Sequence, residues 1–227
     1  MVATEAGALG YLLNAPHGKS STGDRIASNL GQISWAMFDG ARTPYILLVT
    51  IYIFAPYFTN VLVSDPVRGQ ALWGDIQGYS GLVIAILAPF IGAIADAGGR
   101  RKPWIAVFAA LIAIPAAMLW YAKADGSGLS LFIVGMLVAL TYVAYEFASV
   151  FYNAMLPTIV PPERVALLSG LSLTLGNGIG LLILIFMLVF FSLPGNVAWS
   201  FIPAHPLFGV DQALHQPERL TGPIAAL

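Results

Sequence analysis

The sequence has no cysteine, and this absence excludes disulfide bonds, thiolate metal sites and cysteine catalysis. Charge is also scarce, because only 9% of the 227 residues are charged, against roughly 25% in a soluble domain. The net charge of -1 offers no basic face for nucleic acid. A P-loop, a dinucleotide-binding fingerprint and a Ser/His/Asp arrangement are missing, and the acids are too dispersed for a paired-carboxylate site. We therefore expect no enzymatic activity, no cofactor and no nucleic-acid partner.

What the chain has instead is apolar sequence, because 58% of its residues are hydrophobic. Five apolar runs are long enough to cross a bilayer core, which takes about 20 helical residues. We place these spans at about 33–63, 76–95, 104–122, 129–153 and 165–191. The pattern predicts an all-α integral membrane protein, in which residues 31–192 form a bundle of about five transmembrane helices surrounded by the lipid bilayer.

The two ends of the chain are more polar than this bundle. Residues 1–30 lack an apolar core of signal-peptide length, so we expect a cytoplasmic lead. Residues 193–227 are interpreted as an extracytoplasmic loop followed by the start of a sixth span that is cut short. His205, Asp211 and His215 lie in this tail, but their spacing fits no helical zinc pattern, and we expect no metal site.

The cations near the span ends predict the orientation of the bundle. Seven of them fall on one side, namely Lys19, Arg25, Arg42, Arg100, Arg101, Lys102 and Arg164, and three fall on the other, namely Arg68, Lys123 and Arg219. Because cytoplasmic loops carry the excess of Lys and Arg, the N-terminus is expected in the cytoplasm.

A short loop between the second and third spans carries the most distinctive motif. Its residues are Gly92, Asp96, Gly99, Arg100 and Arg101, followed by Lys102. Asp96 is placed to accept hydrogen bonds or to pair with Arg100 or Arg101, and the glycines permit a tight turn. The alternative is an ordinary positive loop on the cytoplasmic side, which explains the cations but not Gly92 and Asp96 at these spacings.

A polar face lies on the otherwise apolar fourth span. Tyr142, Glu146, Ser149 and Asn153 are spaced by four, three and four residues and share one side of a helix. A carboxylate at this depth costs about 2.5 kcal/mol or more, so Glu146 is expected to face a cavity or a partner. Either Glu146 lines a transport pathway with Tyr142 and Asn153 and binds a proton or a cationic group, or it pairs structurally with a neighbour such as Arg42.

Two further features concern packing of the spans, namely a charge pair within one span and stripes of small residues on two others. Asp39 and Arg42 are three residues apart on the first span and are predicted to form a charge pair. Small residues form stripes on the second span, at Gly78, Gly81, Ala85, Ala88, Gly92 and Ala95, and on the fifth, at Ser169, Ser172, Gly176 and Gly180. Such stripes let membrane helices approach closely, and packing is favoured over a sliding surface.

The loop motif Gly-x3-Asp-x2-Gly-Arg-Arg resembles the loop signature between the second and third spans of the major facilitator superfamily (MFS). It departs from many members at Ala97, where they carry a cation. Three other motifs resemble the vacuole-effluxer branch of that superfamily, which includes fungal proteins implicated in amino-acid efflux. They are Ser34-Trp35-Ala36-x2-Asp39, Tyr152-Asn153-Ala154-x-Leu156-Pro157 and Ser169-Gly170.

This resemblance implies a secondary transporter that moves a small polar solute, such as an amino acid, by alternating access. Asp96, Arg100 and Arg101 would then close the cytoplasmic side as a conformational latch, and the Asp39–Arg42 pair would break during the cycle. Such transporters have twelve spans in two halves, with the substrate site between them. This chain corresponds to most of the N-terminal half, so we expect a fragment, a separate partner half, or a protein that has lost transport.

The alternative is a membrane scaffold or assembly subunit that keeps the fold and binds a larger membrane protein complex. In either case the bacterial relatives in the branch favour a bacterial inner membrane. Co-purification with a larger complex would favour scaffolding, and a second six-span unit downstream in the coding sequence would favour transport.

Overall fold

The computed structural model describes residues 19–20, 22–23, 25–97, 101–197 and 199–227. Five membrane-length helices follow one another along the chain, and a shorter sixth helix closes it. They are α1 (Asn29–Leu62), α2 (Pro66–Asp96), α3 (Arg101–Tyr121), α4 (Leu131–Ile159), α5 (Pro162–Ser192) and α6 (Gln216–Ala225). The described residues contain no strand, only an isolated bridge between Lys19 and Arg25. The prediction of an all-α protein with five helices able to cross a membrane is thus confirmed.

Helix α1 changes its winding along its length. The Ser28 hydroxyl caps its N-terminus by accepting the Gly31 N–H at 3.2 Å. After Pro44 the helix widens into π-type turns over Tyr45–Tyr52. Proline lacks an N–H and its ring crowds the preceding turn, which accounts for a change of winding at this point.

Helices α2 and α4 extend beyond the apolar runs from which their spans are predicted. Asp65 caps α2 by accepting the N–H groups of Val67 and Arg68, and Pro66 occupies the first turn. The helix therefore begins ten residues before Ile76. Helix α4 likewise continues through Pro157 to Ile159, past the predicted end of the span at 153. Hydropathy finds the part of a helix that suits lipid, whereas caps set where the helix begins and ends.

The helices of the described residues pack around three apolar clusters, and the third lies around Trp35, Tyr152 and Leu168. Helix α1 lies along α5, α4 lies between α2 and α3, and α6 covers the ends of α1 and α3. One apolar cluster joins α3 and α4 through Phe108, Ile112, Phe147 and Phe151. A larger one fills the end of the bundle near α6 and includes Tyr45, Phe58, Leu119 and Phe191. These contacts fix α1, α4 and α5 relative to one another.

The tail after α5 folds back onto the bundle. Helix α6 buries Thr221 and Gly222 against the end of α3. A Cβ at Gly222 would clash with the carbonyl oxygen of Ala116 and would lie 2.9 Å from Cβ of Leu119. Only a glycine therefore permits this close approach. The tail after α5, which the sequence predicts to begin as a loop, thus packs against helices that precede it in the chain.

Candidate functional site

The charged centre of the bundle is an ion pair on α1. Arg42 Nη2 lies 2.7 Å from Asp39 Oδ1, and Arg42 Nε donates to the same oxygen at 2.8 Å. The two side chains are 11–12% exposed. The spacing of three residues on a helix brings the groups together, as the sequence predicts for such a pair. Burial strengthens their attraction but also imposes a desolvation cost, so their partners matter.

Helix α4 supplies those partners. Arg42 Nη1 donates to the Ser149 hydroxyl, and the guanidinium carbon lies 4.5 Å from the ring centroid of Tyr145 and 5.3 Å from that of Tyr152. Cation–π contacts of this kind stabilise a guanidinium that has lost water. The pair on α1 is therefore completed by α4, which lies about a hundred residues further along the chain.

Tyr152 of α4 contacts both α1 and α5. Its ring stacks on Trp35 with centroids 4.1 Å apart, and Trp35 Nε1 donates to the Tyr152 carbonyl at 3.0 Å. Its hydroxyl hydrogen-bonds to the Ser172 hydroxyl of α5. We call the set Asp39, Arg42, Tyr145, Ser149 and Tyr152 the arginine cluster. It ties α1, α4 and α5 together at a single point.

Glu146 lies on α4 one turn from Ser149 and is half-buried. Within the described residues it has neither an ion pair nor a hydrogen bond, and Arg42 binds Asp39 and Ser149 instead. Of the side chains predicted beside it, Tyr142 is half-buried and Asn153 is exposed. The structural alternative of an Arg42–Glu146 pair is therefore not formed in this conformation.

Helix α5 forms a close wall behind the ion pair at Gly176. A Cβ built there would lie 2.8 Å from Asp39 Oδ2 and 2.9 Å from Thr43 Oγ1. Thr43 in turn donates its hydroxyl to the Asp39 carbonyl at 2.7 Å. From the sequence, Gly176 is only one member of a small-residue stripe. The structure shows that the lack of a side chain there leaves room for Asp39 and Thr43.

Replacing Gly176 with alanine is expected to lower the free energy of unfolding by about 1–3 kcal/mol, because the new methyl group overpacks the ion pair. Gly178 is the matched control on the same helix, since a Cβ there meets no atom within 4 Å. Alanine at 178 should be neutral or stabilising through helix propensity. Chemical unfolding of both variants in mixed micelles checks this difference, and equal stabilities would contradict it.

The loop motif is described only in part, because Gly99 and Arg100 lie outside the described residues. Asp96 is the last residue of α2 and is exposed. Within the described ranges its side chain forms neither a hydrogen bond nor an ion pair. Arg101 donates its Nε to the Ala95 carbonyl at 3.0 Å, so it fastens the start of α3 to the end of α2. A Cβ built at Gly92 meets no atom within 4 Å.

The small-residue stripe of α2 differs from that of α5. A Cβ built at Gly78 or Gly81 meets no atom within 4 Å, and Ala95 is the buried member of the stripe. On α5, by contrast, Ser172, Gly176 and Gly180 are buried against α1. Apart from the exposed Ser169, the fifth-span stripe thus packs within this chain, whereas most of the second-span stripe is open.

Among the described residues, no group of three or more His, Asp or Glu side chains is arranged to hold a metal ion. His215 of the tail lies 3.5 Å from Glu218 through its Nδ1, and its ring centroid is 5.4 Å from that of Tyr57. Around the ion pair, the polar groups on α1 and α4 are one cation, two carboxylates and hydroxyl groups.

Comparison with known proteins gives two matches. Residues 76–167, which include the loop motif and Glu146, match the family model of the vacuole effluxer Atg22 like proteins. The uncharacterized MFS-type transporter YxiO of Bacillus subtilis (strain 168) is 27% identical over 146 residues, which are 63% of this chain and 33% of the relative. The match thus spans about a third of the relative's length. No solved structure matches the chain.

The five membrane-length helices of the described residues define a helical membrane protein. Its sequence is similar to the Atg22-like effluxers over residues 76–167 and to an MFS-type transporter over part of the chain.

Proposed function

We propose that this chain forms the N-terminal half of a secondary transporter, which moves a small polar solute such as an amino acid by alternating access. The observation that carries the proposal is Glu146, a half-buried acid without a counter-ion in the described residues, on a helix of otherwise apolar character. An acid in a membrane helix costs free energy, and such residues typically mark a substrate or proton pathway. Similarity to transporter families agrees with this assignment.

Glu146 takes up and releases a proton in this scheme, and Tyr142 and Asn153 line the same side of α4. The arginine cluster includes residues on both sides of Glu146 along α4, namely Tyr145 and Ser149, and it holds α1 against α4. Rocking of helices would stretch its contacts, because Asp39 and Arg42 belong to α1 whereas Ser149 and Tyr145 belong to α4. A solute carboxylate would then compete with Asp39 for the guanidinium, which suits bidentate binding of carboxylates.

The direct test is transport by the full natural polypeptide in proteoliposomes. Vesicles loaded singly with unlabelled proteinogenic amino acids are assayed for counterflow of the labelled compound, with and without a pH gradient. Saturable counterflow of one or more of them supports the proposal. If intact mass spectrometry gives 24.1 kDa for the natural chain, the assay is repeated with the protein that co-purifies with it.

A second function, that of a membrane scaffold, is favoured by the open face of α2. Of the five membrane-length helices in the described residues, α2 has the least buried apolar segment, with 11% of its residues buried. Gly78, Gly81 and Gly92 have open space beside them, which suits close packing against another membrane helix. A scaffold would co-purify with a larger complex in a fixed ratio and would show no counterflow. A transporter would use the same face to meet its second half.

The loop motif provides a separate prediction. Replacing Asp96 with asparagine is expected to slow transport roughly tenfold while the protein stays folded, because about 1.4 kcal/mol of stabilisation would be lost from one conformation. The initial rate of counterflow measures this effect. Asp96→Glu should retain most of the rate, and Asp75→Asn, at an exposed acid on the same helix, is the matched control. A normal rate for Asp96→Asn would contradict the latch role.

A further inference from the structure

The end of the bundle opposite Asp96 contains a cavity of about 580 Å³ between the α3–α4 loop and the tail. Trp120, Lys123 and Asp125 line it from the α3 side, and His215 and Arg219 line it from the tail. We propose that this cavity is a binding site for a monoanionic oxyanion, either the carboxylate of a small solute or the phosphate of a lipid headgroup. The site is independent of the arginine cluster and of transport.

Arg219 is the main argument for the site. This residue is 4% exposed, yet its acceptors are two backbone carbonyls, with Nε donating to Trp120 at 2.7 Å and Nη1 to Leu214 at 3.3 Å. No carboxylate lies within 4.0 Å of it in the described chain, and its Nη2 has no acceptor there. The guanidinium is thus mostly buried but keeps a free donor at a cavity wall, and a charge-assisted hydrogen bond to a bound oxyanion suits such a donor.

The ring of Trp120 holds this guanidinium in place. The guanidinium carbon lies 4.8 Å from the ring centroid, so Arg219 is sandwiched between an aromatic face and the cavity. Stacking and the two backbone acceptors fix its orientation before any ligand arrives. A preorganised donor of this kind loses little entropy on binding.

The other charges of the cavity set the charge of its ligand. Lys123 adds a second cation, with its Nζ 3.4 Å from the Ser127 hydroxyl. Among the described residues that line the cavity, Asp125 is the only acid. Its pKa is lowered chiefly by the Ser127 backbone N–H, so its carboxylate is ionised at neutral pH. Two cations and one carboxylate leave an excess of one positive charge. This excess matches one monoanionic group.

Two further groups complete the electrostatics. Glu218 neighbours Arg219 in sequence, but it lies 3.5 Å from His215 and lines a different cavity beside Tyr57. The N-terminal turn of the ten-residue helix α6 also borders the site at Gln216. Its backbone dipole adds a partial positive charge in the same place.

The test measures binding of acetate and of dimethyl phosphate to the protein in maltoside micelles, with ligand NMR as the readout. We expect saturable binding of at least one of them, weakened about tenfold in Lys123→Gln and lost in Arg219→Gln. Arg68→Gln is the matched control, because Arg68 lies at the same end of the bundle but lines another groove. Lys123→Gln keeps the test valid if Arg219→Gln misfolds, since the side-chain hydrogen bond described for Lys123 is a long one to Ser127 of the same loop.

Absence of saturable binding to the unchanged protein would overturn the proposal, as would wild-type affinity in Lys123→Gln. A second arm adds phosphatidylglycerol to the micelles. Displacement of acetate by this lipid assigns the site to a lipid phosphate, whereas unchanged acetate binding assigns it to a soluble carboxylate. Both results support an oxyanion site, and neither depends on a transport assay.

Discussion

Replacing Arg42 with glutamine is expected to lower the free energy of unfolding by about 3 kcal/mol, because it leaves the Asp39 carboxylate buried without its counter-ion. The same change removes the donor to Ser149 and the cation that lies over Tyr145. Chemical unfolding in mixed micelles measures the loss. Glutamine retains a hydrogen-bonding group but is shorter than arginine, so the change removes the charge together with some of the volume.

A double-variant cycle separates the ion pair from packing. Asp39→Asn combined with Arg42→Gln should recover part of the loss, since neither charge is then left unpaired. Arg68→Gln is the control, because this arginine is exposed on α2 and its removal should change stability by less than about 0.5 kcal/mol. If Arg42→Gln is as mild as Arg68→Gln, the pair contributes little to the fold.

Hydropathy and local spacing predicted the parts of the fold that depend on near neighbours in sequence. The five spans follow from the length of the apolar runs, because lipid selects composition along a helix. The proximity of Asp39 and Arg42 follows from a spacing of three residues. The true start of α2 was missed, because it depends on the cap at Asp65 and not on hydropathy.

Contacts between distant helices could not be predicted in this way. Trp35 and Tyr152 appear in the sequence only as members of separate motifs, yet their rings stack in the structure. The partner of Arg42 on α4 was expected to be Glu146 if the acid was structural, and it is Ser149. The burial of Arg219 was not anticipated, because a tail rich in proline and histidine has the composition of a loop.

The arginine cluster explains why Glu146 remains without a cation. Arg42 already binds Asp39 and Ser149, and its guanidinium faces two tyrosine rings, so it is saturated by groups other than Glu146. The negative charge of Asp39 cancels that of Arg42, which leaves Glu146 as the net charge in this part of α4.

Glu146→Gln is accordingly expected to abolish the dependence of solute uptake on a pH gradient, with gradient-driven uptake falling at least about tenfold. Glutamine mimics the protonated acid in shape and cannot release a proton. Counterflow of solute should continue, because exchange of solute for solute needs no proton release. Uptake by proteoliposomes of the full natural polypeptide, compared with and without an imposed gradient, measures both quantities.

Glu163→Gln is the matched control for this change. Glu163 is an exposed acid in the first turn of α5, and its replacement by glutamine removes the same charge. It should leave gradient dependence unaltered. Unchanged gradient dependence in Glu146→Gln would contradict the proton role of Glu146. Loss of counterflow together with gradient dependence would place Glu146 at the solute instead, since a group that only carries the proton is not needed for exchange.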